Sequence, residues 1–169
     1  GRSYEVQVRD GDAQRLPGGR VRAHYIADLL GPPEHHPAEP LEVAVDVGTE
    51  VPLPSGSPAR LLVEAPASAP RTIHVRPEDD SGRIVKLAPG IYVDVQVHDP
   101  KGAAVQGAEV VVQASPEGLR VARRGRTLAN GRVRIRDLPA GPIEVYARAP
   151  GTAWSVAAAE AARGAESVT

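Results

Sequence analysis

Val6-Gln7-Val8-Arg9-Asp10 returns as Val95-Gln96-Val97-His98-Asp99, and this recurrence constrains the fold more than any other feature of the chain. Gly18 and Val21 recur in the same register as Gly107 and Val110. Leu53-Pro54-Ser55-Gly56 returns as Leu138-Pro139-Ala140-Gly141, and the run Pro58 to Pro66 maps without a gap onto Pro142 to Pro150. A spacing of about 85–89 residues exceeds a solenoid unit and suits one small β domain. The 169 residues therefore read as two halves, each long enough to bury a modest core.

That core has to be built without Phe, Met or Cys and with a single Trp. Val dominates the large apolar residues and sits in short alternating runs, the pattern of a half-buried pleated surface. The 17 Pro and 17 Gly fall between those runs, so the composition is turn-rich and all-β. A net charge of −1 gives no global field toward nucleic acid or a membrane surface. No apolar stretch is long enough for a membrane-inserted helix, and no segment of these residues reads as a signal peptide. Without cysteine there are no disulfides, thiolate metal sites or cysteine nucleophiles. A chain that opens Gly1-Arg2-Ser3 and lacks Met reads as a segment of a longer bacterial protein.

The second half has the cleaner pattern. Tyr92–His98 alternates as a strand, Asp99-Pro100-Lys101-Gly102 is a turn, and Ala108–Ala114 is a second strand. Asn130-Gly131 favours a hairpin, after which Val133 and Ile135 alternate with Arg132, Arg134 and Arg136. Ile143–Ala149 is another strand; Thr152–Ala159 reads as strand, with helix as its alternative because of the alanines. In the first half, Val21–Tyr25, Leu41–Val47 and Arg83–Leu87 read as strands. Residues 26–40 carry four prolines and read as a loop, with a helical turn at Ile26–Leu30. Pro89-Gly90 marks the junction.

Val93 to Gly151 resembles a carboxypeptidase regulatory-like domain of the transthyretin-like β-sandwich group. The strand Val93–Val97, the turn Asp99–Gly102, the step Val105-Gln106-Gly107-Ala108-Glu109-Val110, the hairpin Thr127–Val133 and Leu138-Pro139-Ala140-Gly141-Pro142 carry the resemblance. It departs from the family pattern at Leu128, where Asp is usual, and at Val133, where Phe is usual. The resemblance implies two tandem immunoglobulin-like or transthyretin-like antiparallel β-sandwiches. Residues 91–169 would form the carboxypeptidase regulatory-like one, clear over 92–160, and residues 3–88 a divergent copy. It also implies an accessory role: a spacer, a stabiliser of a neighbouring domain, or a recognition element at the cell envelope.

Three local features bear on function. Arg120, Arg123, Arg124, Arg126, Arg132, Arg134 and Arg136 occur with no acid between them. If residues 119–127 form the strand beside 132–136, they make a basic patch for phosphates, acidic glycans or an acidic partner; the alternative is an ordinary soluble sheet face. Glu34, His35 and His36 have metal-ligand chemistry but no third ligand at suitable spacing, so a solvated loop is the stronger reading and no metal or cofactor is expected. Glu78-Asp79-Asp80 supplies too few oxygens for calcium. His24, His74 and His98 read as partly buried packing residues, and Trp154 as the anchor of the second core, which leaves little for an aromatic sugar platform.

No nucleophile elbow, phosphate loop or paired catalytic carboxylates appear, so the chain does not read as an enzyme. Lys101 and Asn130 both fall in turns, which argues against an isopeptide crosslink. The leading expectation is a non-catalytic spacer or protein-binding module of a larger cell-envelope or secreted protein. Its partner would be another protein or the rest of its own chain. The alternative is a module that binds an anionic polymer or glycan through arginines. A third reading is a part of an enzyme whose catalytic domain lies elsewhere.

Overall fold

In the computed structural model, residues 2–16, 18–25, 41–45, 49–53, 56, 58–79 and 82–161 are described. The loop 26–40, with its expected helical turn and with Glu34, His35 and His36, lies outside the described residues, as do Asp80 and residues 162–169. The chain is all-β, and it divides into two compact units, Gly1–Pro89 and Gly90–Thr169.

Among the described residues the first unit holds seven strands: β1 Arg2–Arg9, β2 Gly19–Tyr25, β3 Leu41–Val45, β4 Thr49–Leu53, β5 Ala59–Glu64, β6 Arg71–Val75 and β7 Gly82–Lys86. They form one sheet in the order β4-β1-β7 and another in the order β3-β2-β5-β6. Period-two alternation puts Tyr4, Val6, Val8, Val21, Leu61, Val63, Ile73 and Val85 between the sheets. β4 and β6 lack a clear signature in sequence. β4 carries Pro52, which an edge strand tolerates, and β4 pairs only with β1 among the described strands.

The described residues of the second unit repeat this scheme with six strands: β8 Ile91–Gln96, β9 Glu109–Ala114, β10 Val121–Arg126, β11 Arg132–Leu138, β12 Gly141–Arg148 and β13 Ser155–Ala161. Its sheets run β11-β8 and β10-β9-β12-β13, so each strand has a counterpart in the first unit's β4-β1 and β3-β2-β5-β6. Ile91, Val93, Val95, Val110, Val112, Ile135, Leu138, Ile143 and Val145 fill the space between them. Of the region expected as strand or helix over Thr152–Ala159, residues 155–159 are strand and 152–154 are not: β13 runs Ser155–Ala161 and pairs antiparallel with β12 along its length.

The recurring Asp residues explain why the repeat persists. Asp10 Oδ1 accepts hydrogen bonds from the backbone N–H groups of Asp12 and Gln14, at 2.9 and 2.8 Å. Asp99 Oδ1 does the same for Lys101 and Ala103, at 2.8 and 2.9 Å. Each unit then returns the chain to its first strand, Leu16 N–H donating to the Val8 carbonyl and Val105 N–H to that of Val97. One carboxylate thus closes the same turn in both units.

The expectation of purely antiparallel sandwiches needs correction. β7 lies beside β1 and runs parallel to it, with Glu5 opposite Gly82 and Val8 opposite Val85. β7 leaves the β5-β6 sheet and crosses to the opposite one, so it arrives in the same direction as β1. It has no counterpart among the described strands of the second unit. In the first unit this crossing brings Leu87 into the core, its N–H donating to the Arg9 carbonyl. In the second unit, the corresponding side of Val97 opens onto an apolar cavity of about 480 Å³, which Val95, Val105, Val145 and Ala157 also line.

Candidate functional site

The second unit carries the arginines singled out in the sequence, and its topology separates them. The turn 127–131 joins β10 to β11, but these strands do not pair with each other: β10 pairs with β9 and β11 with β8, so the hairpin expected at Asn130-Gly131 is instead a crossing between sheets. A Cβ on Gly125 would lie 2.7 Å from Val133 Cγ2 and 2.8 Å from Ile135 Cδ1, so the inner face of β10 meets the inner face of β11. By strand period, Arg124 and Arg126 point outward from one sheet, and the exposed Arg132, Arg134 and Arg136 from the other. Arg120 is exposed before β10, and Arg123 is half-buried on its inner side. The seven arginines thus do not form one patch.

On the two-stranded face, Arg134 lies opposite Asp94. Its Nε and Nη2 each donate a 2.8 Å hydrogen bond to the Asp94 carboxylate, a bidentate pair. The same guanidinium stands 4.2 Å from the centre of the Tyr92 ring. The Arg134 hydrogen bonds hold the Asp94 carboxyl below the ordinary carboxylate range against the opposing pull of desolvation, with Arg132 and Arg136 adding attraction.

On the four-stranded face, pairing places Arg126, Glu109 and Arg148 side by side across β10, β9 and β12. Glu109 takes a 2.7 Å contact from Arg148 Nη2 and a 3.4 Å contact from Arg124 Nη1. Arg148 also stacks on Trp154, 4.6 Å from the ring centre. Further along this face the Tyr146 hydroxyl donates to Glu144 at 3.1 Å, which raises the phenol above its ordinary range. Arg126, Arg148, Glu109, Gly107 and the turn 149–152 line a polar cavity of about 370 Å³.

Trp154 corrects an expectation. It is 41% exposed and lies outside the second core, which Val, Ile and Leu fill without it. The turn Ala149–Thr152 carries the chain past the end of the sandwich before β13 begins, and Trp154 emerges there beside Arg148. His74 and His98 are likewise exposed rather than partly buried. Glu78 and Asp79 are exposed, with Asp79 Oδ2 accepting from the Arg76 N–H at 2.7 Å. No group of three metal-ligating side chains occurs among the described residues, and none of their helices is long and apolar enough to cross a membrane. Arg148, Asp94 and Tyr92 escaped the sequence reading because their partners become visible only once strand register is known.

Residues 93–168 match the carboxypeptidase regulatory-like domain family. No curated protein matches the chain. Solved structures similar to it include a streptococcal ancillary pilin, at 17% identity and TM-score 0.35, with 94% of this chain and 58% of that one covered. A minor pilin of Streptococcus agalactiae is 11% identical, with coverage of 98% and 93% and a TM-score of 0.39. The shaft pilin SpaA of Lactobacillus rhamnosus GG is 8% identical, with coverage of 98% and 95% and a TM-score of 0.38. The chain therefore spans little more than half of the streptococcal ancillary pilin chain. The match to the carboxypeptidase regulatory-like domain family thus falls within the second unit, over residues 93–168.

Proposed function

We propose that this chain is a non-catalytic interaction module of a larger cell-envelope protein, made of a divergent transthyretin-like sandwich over residues 3–88 and a carboxypeptidase regulatory-like one over 91–169. Its partner is another protein or the remainder of its own chain. The observation that carries this reading is the pair of side-chain constellations on the second unit's outer faces. Tyr92 and Trp154, both substantially exposed, are each braced by an arginine that a carboxylate holds in place. Tyr, Trp and Arg are the residue types that dominate binding hot spots, and bracing lowers the entropy lost on docking. Hydroxyl-radical footprinting tests it: Tyr92 and Trp154 are protected in the intact parent protein relative to the 169-residue chain. Equal oxidation in both, together with turnover of a small substrate, would overturn it.

A second reading is supported by the cationic cavity between Arg126 and Arg148: the module binds an anionic polymer. Retention on a polyanion column at low salt tests it, and an unretained chain rules it out.

A further inference from the structure

We propose that the cavity between Arg126 and Arg148 binds the carboxylate of a sugar unit in an anionic saccharide chain; this rests on the second reading above. Arg124 and Arg148 both contact the Glu109 carboxylate, and Arg126 stands opposite Glu109 in strand register. Arg126 is exposed and makes no ion pair with any described residue, so the cavity keeps an excess of positive charge and an unused planar fork of donors. Such a fork recognises a carboxylate in two-point fashion. Arg148 is already oriented between Glu109 and Trp154, so little freedom remains for it to lose on binding.

Two observations favour a saccharide over an acidic peptide. The cavity opens on the face of the sheet, where β9 is hydrogen-bonded to β10 on one side and β12 on the other. Over β9 a peptide finds no free edge to extend, and recognition in the cavity falls to side chains; among the described strands the free edges of this sheet are those of β10 and β13. The cavity of about 370 Å³ also sits at the small end of ligand sites, and beyond its lining the exposed Trp154, stacked on Arg148, offers an apolar ring surface for a pyranose.

Trp154 is the single tryptophan and reports on its own neighbourhood. The 169-residue chain is titrated at low ionic strength with oligogalacturonate, neutral maltooligosaccharide and polyglutamate, and Trp154 fluorescence is followed. A saturable change with oligogalacturonate alone is expected, weakened about tenfold or more in Arg126→Gln. Because Arg126 is in no ion pair, this variant keeps the fold, which far-UV circular dichroism checks. No saturable change, an equal response to polyglutamate, or an unaltered affinity in Arg126→Gln overturns the proposal. A polygalacturonate column separates it from the broader reading. Retention that survives Arg126→Gln but is lost in Arg132→Glu/Arg136→Glu removes the cavity and leaves polymer binding in place. An unretained unmodified chain removes both.

Discussion

Arg134 and Asp94 face each other across β11 and β8 through two parallel hydrogen bonds of 2.8 Å. Both side chains are well exposed, at 45% and 38%, so the pair contributes modestly and is screened by salt. The depressed Asp94 carboxyl contributes stability above the ordinary aspartate range and loses it as pH falls through its lowered value. Asp94→Asn therefore lowers the thermal midpoint slightly at neutral pH, and the gap to the unmodified chain closes in acid. Thermal melts at neutral pH and at pH below the aspartate range check this, and a gap that widens in acid would contradict it.

Gly125 on β10 packs directly against the inner face of β11. A methyl group there meets Val133 Cγ2 at 2.7 Å and Ile135 Cδ1 at 2.8 Å. Gly125→Ala forces these side chains apart and costs about 1–3 kcal/mol in denaturant unfolding. The pair Gly125→Ala/Val133→Ala regains part of the loss.

Thr127 is buried, and its hydroxyl both donates to the Val105 carbonyl at 2.6 Å and accepts from Ala108 N–H at 2.9 Å. Thr127→Val keeps the shape but orphans both backbone groups, at a cost of about 1–3 kcal/mol. Thr127→Ser retains the hydroxyl and most of the stability, and chemical denaturation of the two variants separates these outcomes.

Trp154 and Leu138 reverse the usual expectation that the largest side chain matters most. Leu138 is fully buried, and Leu138→Ala costs about 2–5 kcal/mol. Trp154→Ala removes one exposed ring and its contact with Arg148, a loss of about 0.5–1 kcal/mol. Equilibrium unfolding of both variants gives the order; a larger loss for Trp154→Ala would place that ring in the core.

Much of the fold was legible from period and turn chemistry. The recurrence of Asp10 as Asp99 and the turn at Pro100 and Gly102 were legible, whereas the closing of both turns by the carboxylate became visible only with the backbone in place. Val93, Val95, Val110 and Val112 announced the core through strict alternation. The candidate site was far less legible. Arg120 to Arg136 are neighbours in sequence, yet the strands on either side of the 127–131 turn enter different sheets, which splits them. Arg126 and Arg148 are distant in sequence and become neighbours through Glu109. Trp154 misled because size was read as burial, whereas small β-branched residues had already filled the space.

The parallel pairing of β1 with β7 has a consequence for biosynthesis. β1 is made first in its unit and β7 last, yet Glu5 needs Gly82 and Val8 needs Val85 beside it. During synthesis one edge of β1 waits, with its backbone groups solvated, until the ribosome has passed residue 86. The unit thus cannot close its sheet progressively; it closes late, through a contact of long loop span. A nascent chain stalled before β7 presents that open edge to other chains.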